Sequence, residues 1–286
     1  KVGAENERNE FLNELSVDEL KKLLNDSIEK YKAEETLLLN INHDLRGHLN
    51  VIISTLQYIE QVGKNNEGLD KYLGIIKRSC FKMFKLINNL IDTTKLQNNC
   101  YNLEKRNVNI VPMIENTIDE VDKYAKQKGI DLIFDTNEED CIISVDPVAL
   151  DRIIMNLLSN AIKFSPNNSE IYITLNISED KLIISIKDQG IGISEEDKDK
   201  IFNRFYQCQI RENKSYIGSG IGLDLTNYLV QAHDGIIEIN SEEGKGSEFV
   251  VTIPRIIDNT LEDIQEKEIS SRVQLLELEF SDIYLN

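Results

Sequence analysis

Residues 37–52 read LLLNINHDLRGHLNVI, and their apolar spacing decides the first half of the fold. Leu24, Tyr31, Leu38, Leu45, Ile52 and Ile59 recur every seven residues, and Ile28, Glu35, Asn42, Leu49 and Leu56 fill the alternate seam positions. A 3.5-residue seam predicts a long helix that packs along its length against another helix. Glu35 and Asn42 interrupt the seam, a pattern that fixes register at some cost in stability. The helix is expected to end near Gly63, where KNNEG supplies a polar turn. A second seam follows at Leu69, Leu73, Ile76, Cys80, Met83, Ile87 and Leu90, with Cys80 and Met83 expected as core filling. Two such helices joined by a short loop form an antiparallel hairpin. One hairpin cannot bury its apolar stripe alone. Two hairpins from two chains make a four-helix bundle, so the expectation is a homodimer. Asn42 lies on the seam, which leaves His43 one step off it and facing water, beside Asp44.

Composition narrows the function classes. The chain has 286 residues, 41% of them hydrophobic and 29% charged, with a formal net charge of −18. That is enough for two core-forming domains and too acidic for a nucleic-acid binder, which needs a basic patch. An anionic substrate would need a divalent metal and a few local cations. The cysteines at 80, 100, 141 and 208 have no C-x-x-C spacing, so reduced thiols in a cytoplasmic setting are expected. No apolar run approaches the ~20 residues of a membrane helix, and no signal peptide is evident. The first residue is Lys rather than Met. Membrane contact is therefore expected only through segments outside this sequence.

From Asn107 the pattern changes to an α/β sandwich, giving an α+β chain overall. A helix is predicted over about 111–128, short strands at IDLIF and CIISV, and a helix over 147–164 that Asp146 and Pro147 start. Two alternating strands, IYITLNI and KLIISIK, turn at SED, with Leu182, Ile184 and Ile186 facing the core. A helix near 223–232 precedes a hairpin, GIIEINS and SEFVVTIP, turning at EEGKG. His233, at that helix end, is read as structural and in a place that favours a cation. From Ile256 the chain is acidic, with eight acids against two bases. There Leu276, Leu278 and Phe280 fit an edge strand, a docking tail or a solvated extension.

Four stretches of the sandwich group together. In NLLSNAIK, Asn156, Asn160 and Lys163 share one helix face, opposite Leu150, Ile154, Leu157 and Ala161. That face is either solvated or a site for phosphates and a hydrated cation. DQGIGI ends a strand with Asp188, followed by Gly190 and Gly192. It is either a plain turn or a carboxylate placed to accept an amino proton of a base. GSGIGLDL carries Gly218, Gly220 and Gly222 into a helix N-terminus, a setting that binds phosphate. It follows a polar loop and not a strand, which rules out a dinucleotide fingerprint. IFNRFYQ places Phe202 and Phe205 as apolar anchors before that polar loop.

In this order and spacing, residues 37–255 resemble the sensor histidine kinases of bacterial two-component systems. The resemblance implies a dimerisation and histidine-phosphotransfer hairpin at 37–100, after a linker helix at 1–36. A catalytic ATP-binding domain of the GHKL (Bergerat) fold follows at 106–255, and an acidic extension at 256–286. It implies ATP and Mg²⁺ as cofactors. Asn156 would ligate Mg²⁺, Asn160 and Lys163 would hold phosphates, and Asp188 would take the adenine amine. Gly190 and Gly192 would close the loop over the base. Gly218, Gly220 and Gly222 would serve the lid hinge and phosphate contacts, with Arg204 or Lys214 as added charge. The partner implied is a response regulator receiver domain.

A neutral imidazole is populated near pH 7. One ring nitrogen of His43 would attack the γ-phosphorus while Asp44 holds or deprotonates the other. His48, with no acid after it, is read as structural. The chain keeps the family's Arg at Arg46 but departs at Gly47–His48, where relatives carry Thr, Asn or Ser and then Pro. The polar side chain that in relatives positions a dephosphorylating water is missing at Gly47, which implies a weak phosphatase. Gly47 also costs ~1 kcal/mol in a helix interior. The alternatives are a catalytically impaired dimeric ATP-binding scaffold and a GHKL ATPase that clamps without phosphotransfer.

Overall fold

The computed structural model describes residues 21, 22, 24, 28, 45–59, 69–97, 103–204, 206–208, 220–257, 276 and 280. The chain divides into two compact units, residues 1–50 and 51–286. In the first, the described residues are helical, and Leu24, Ile28 and Leu49 expose apolar side chains.

The second unit opens on helical residues 51–59 (α1) and Leu69–Gln97 (α2). The Tyr58 and Tyr72 rings meet at 4.8 Å, so α1 and α2 touch as the hairpin reading requires. The expected turn at KNNEG lies outside the described residues. Ile52 and Ile59 are half-buried, whereas Leu56 is exposed. On α2, Ile76 and Met83 are half-buried, but Leu73, Cys80, Phe84 and Ile87 form an exposed stripe. Cys80 therefore corrects the expectation of core filling, and Ser79 beside it is the buried residue. Among the described residues, the half of the seam that carries Cys80 stays exposed.

The sandwich follows. Arg106–Asn109 (β1) pairs antiparallel with Ile142–Val145 (β3). The main sheet holds five strands in the order β2-β4-β5-β7-β6, namely Asp131–Thr136 (β2), Glu170–Ile177 (β4), Lys181–Lys187 (β5), Gly246–Pro254 (β7) and Ile236–Glu242 (β6). The β2–β4 pair is parallel and the other pairs are antiparallel. Period-2 alternation puts Ile171, Ile173 and Leu175 of β4, Leu182, Ile184 and Ile186 of β5, and Val251 and Ile253 of β7 in the core. Three helices add their apolar faces to that core: Ile110–Ala125 (α3), Pro147–Phe164 (α4) and Gly222–Ala232 (α6). A short helix, Glu195–Lys198 (α5), lies on the segment between β5 and α6.

Helix α4 starts where its sequence says. The Asp146 carboxylate accepts from the N–H groups of Val148 and Ala149, both at 3.0 Å, and Pro147 needs no partner at the first helical position. The other Asp146 oxygen accepts from the Glu104 N–H at 3.0 Å, so the segment entering the sandwich is tied to the same residue. His233 completes this junction. Its Nε2 accepts from the Asp146 N–H at 3.0 Å, and its Nδ1–H donates to the Leu229 carbonyl at 2.7 Å. One nitrogen accepts and the other donates, so the ring is neutral, and burial holds its pKa below the ordinary value. The structural role stands, but the expected cation does not.

The end of the chain also differs from an edge strand or a solvated extension. Leu276 is helical and Phe280 lies one turn on, its N–H donating to the Leu276 carbonyl at 3.0 Å. Both side chains are buried, and the Phe280 ring stacks on Tyr124 of α3 with centroids 4.7 Å apart. Phe280→Ala is expected to lower the unfolding free energy by about 3 kcal/mol, read as a shifted urea midpoint. An unshifted midpoint would mean that this docking contributes nothing.

Candidate functional site

The polar face of α4 borders the site. Asn156, Asn160 and Lys163 are each half-buried, while Leu150, Ile154, Leu157 and Ala161 of the same helix are buried. The Asn156 amide is oriented: its Nδ2 donates to Thr226 Oγ1 at 2.7 Å, which fixes Oδ1 as the remaining acceptor. Thr226 sits one turn after Gly222 on α6 and is 1% exposed. Gly222 lets the two helices approach, since a Cβ there would stand 2.5 Å from Asn156 Oδ1. The Lys163 ammonium lies 5.2 Å from the centre of the Phe164 ring.

Asp188 stands at the end of β5 and is 6% exposed. Its Oδ1 accepts from two backbone N–H groups, Gly190 at 2.7 Å and Ser247 at 3.2 Å. That leaves Oδ2 as the acceptor for an amino group. Burial raises the Asp188 pKa above the usual carboxylate range, and the two N–H bonds oppose that shift. The D-x-G-x-G loop is clamped on the β6–β7 hairpin. Ile193 N–H donates to Ser241 Oγ at 2.9 Å and Gly244 N–H to the Ile191 carbonyl at 2.7 Å. At Gly192, with φ +68°, a Cβ would stand 2.0 Å from the Glu242 carbonyl oxygen. At Gly246, with φ +91°, it would stand 2.1 Å from that of Asp188. Only glycine fits either place.

The remaining expected residues fall as follows. Gly220 has φ +68° directly before α6, and Gly222 is the first residue of that helix. Phe202 packs on the core. Arg204 Nε donates to Asp224 Oδ2 at 2.7 Å, which ties the segment after α5 to α6 and engages the charge expected to meet phosphate. Arg46 and Gly47 are helical and exposed, and among the described residues nothing lies within 4 Å of a Cβ built on Gly47. His43, Asp44, Phe205, Lys214 and Gly218 lie outside the described residues.

Sequence reasoning missed Thr226, Ser241 and Ser247. Thr226 carries a signal, a hydroxyl at i+4 from a glycine and within the helix's apolar face between Leu225 and Leu229. The two serines belong to alternating strands and carry none.

Two family models match this chain. Residues 145–257 match the histidine kinase-, DNA gyrase B- and HSP90-like ATPases, and residues 33–99 match the His Kinase A (phospho-acceptor) domain. Histidine kinase P4 of Formosa agariphila is 33% identical over 242 residues, covering 82% of this chain and 18% of that protein. Sensor histidine kinase WalK of Bacillus subtilis is 28% identical over 244 residues, covering 83% of this chain and 40% of that one. The chain thus spans less than half the length of these curated relatives. The structure of histidine kinase ThkA in complex with response regulator protein TrrA shares the fold, with TM-score 0.57 and 22% identity over 85% of this chain and 68% of that chain.

Asp188→Asn keeps an oxygen for both backbone N–H groups but turns the other position from acceptor to donor. Losing one hydrogen bond to a charged acceptor is expected to weaken ATP binding by roughly tenfold or more in calorimetry. Stability should move the other way. A carboxyl with a raised folded pKa binds its proton more tightly when folded. It therefore removes stability as pH rises from about 3.9 through the folded value. The Asn variant escapes that loss and should unfold at the same or higher denaturant at pH 7.

Proposed function

The chain belongs to the sensor histidine kinases of two-component signalling, and on that premise we propose that it phosphorylates its own His43 from ATP and passes the phosphoryl group to an aspartate of a response regulator. A ring nitrogen of His43 attacks the γ-phosphorus, the bond to the β,γ-bridging oxygen breaks, and ADP leaves. Asp44 holds the other ring nitrogen and takes its proton. The sandwich supplies the nucleotide. Asp188 Oδ2 accepts the adenine amine, while Asn160 and Lys163 meet phosphate oxygens. Gly190 and Gly192 close the loop over the base, and Gly218, Gly220 and Gly222 bring bare backbone to the phosphates. The observation that carries this reading is the Asp188 carboxylate, buried and satisfied on one oxygen only.

Asn156 would hold Mg²⁺, which neutralises phosphate charge when bound. Its amide fits a hard cation, since the bond to Thr226 turns the nitrogen away and presents the oxygen.

The phosphoacceptor hairpin acts as a homodimer in this reading. The exposed stripe of Leu73, Cys80, Phe84 and Ile87 supports it, because a second hairpin is what such a stripe packs against. The response regulator is proposed from the family and from the ThkA–TrrA complex. Domains at 37–100 and 106–255 divide the labour. No helix among the described residues is long and apolar enough to cross a membrane. The portion here works on the cytoplasmic side.

Incubation with γ-labelled ATP is expected to leave acid-labile label on the protein, and His43→Gln to abolish it. Bound nucleotide without label would favour an ATP-binding scaffold, and phosphate release without labelled protein an ATPase.

The phosphatase half of the cycle is proposed to be weak, because Gly47 has no polar group to hold a water. The space around Gly47 accepts a larger side chain. Gly47→Thr should therefore raise the rate at which phosphorylated regulator loses phosphate, and an unchanged rate would reject the idea.

A further inference from the structure

The last turn of α4 is held by a residue from another part of the chain. After α3, the 3-10 turn Lys126–Lys128 ends at Gly129 in the left-handed region, φ +67°. Its first lysine makes a surface pair, Lys126 Nζ to Asp122 at 2.6 Å. Its last lysine turns inward. Lys128 Nζ donates to the carbonyls of Ile162 at 2.7 Å, Ser165 at 2.9 Å and Lys163 at 3.2 Å. An ammonium has three N–H groups, and here three carbonyls receive them. The Ile162 and Lys163 carbonyls are among those an α-helix leaves without N–H partners at its C-terminus, the negative end of its dipole. The stem of Lys128 is fixed as well, since its own carbonyl accepts from Asn168 N–H at 3.0 Å. Burial draws the Lys128 pKa below the ordinary lysine value, which marks the ammonium as withdrawn from water.

Two parts of the nucleotide site hang on this turn. Lys163 projects from it. Its Phe164 carbonyl, the one Lys128 does not take, packs on the loop after Asp188, where a Cβ on Gly190 would stand 2.9 Å from that oxygen. We propose that Lys128 is a positioning residue for ATP, a built-in monovalent cation that sets the last turn of α4 so that Lys163 and the Asp188 loop stand in register. It touches neither base nor phosphate. The inference rests on the ATP-site reading above.

The three carbonyls form a cage that a small cation can enter once the side chain is cut back. The test uses the full chain and ATP calorimetry in ammonium, potassium or tetramethylammonium chloride at one ionic strength. Lys128→Ala is expected to weaken ATP binding about tenfold in tetramethylammonium, and ammonium or potassium should restore most of it. Neither salt should change the parent. A purely structural role would lower the melting temperature and leave folded protein binding ATP normally in all three salts. That result, or a loss that neither small cation relieves, overturns the proposal. Should Lys128→Ala not fold, Lys128→Gln keeps donors without charge. It should show a smaller loss, and parent affinity there would also overturn the proposal. If the parent itself fails to bind ATP, the functional reading falls first and takes this one with it. A binding parent with equal affinity in Lys128→Ala sinks this one alone.

Discussion

Helix α4 is held between opposite charges, and the proposed nucleotide site depends on that hold. At its first turn the Asp146 carboxylate accepts two N–H groups, and at its last turn the Lys128 ammonium donates to carbonyls. Each charge matches the end of the helix dipole it meets. Between them one face sinks into the core and the other carries Asn156, Asn160 and Lys163. A helix fixed at both ends cannot slide or rotate without exposing Ile154 or Leu157. The packing of the sandwich therefore sets where the polar face points.

The same anchors reach outward. Asp146 also receives the Glu104 N–H and donates its own to His233, which ends α6. One residue thus joins the start of α4, the segment that enters the sandwich and the end of the helix that follows the glycine-rich stretch. At its other end α6 meets α4 again through Thr226 and Asn156. Helix α2 also touches α6 within this unit. A shift of α6 would be felt at Asn156 and at the junction together.

Much of this was legible in the residues. The α4 limits followed from Asp146–Pro147, whose preferences are strong and local. The strands followed from alternation, because one face of the sheet is buried. What failed was set by tertiary surroundings or by ambiguous spacing. The β1 strand, RNVN, is too short and polar to show a period. Leu276 and Phe280 are four apart, which fits both a strand face and one helical turn. His233 is structural as expected, but the helix end that would favour a cation is outweighed by desolvation. Cys80 was read as core because seam spacing cannot tell an interface between chains from the interior of one. For Lys128 the neighbouring residues KQKG look like an ordinary solvated turn, and nothing nearby names the carbonyls about forty residues on. His43 and Asp44 rest on their motif and spacing, since the described residues do not include them.

Gly192 and Gly246 have a consequence for how such a cleft evolves. A methyl group at either would drive into a carbonyl oxygen far inside van der Waals contact, at 2.0 and 2.1 Å. The pocket's floor is therefore written in main chain, where point mutation has no vocabulary. Change around this loop must enter through side chains instead, such as that of the exposed Ile191. The floor can be inherited or lost, but hardly edited.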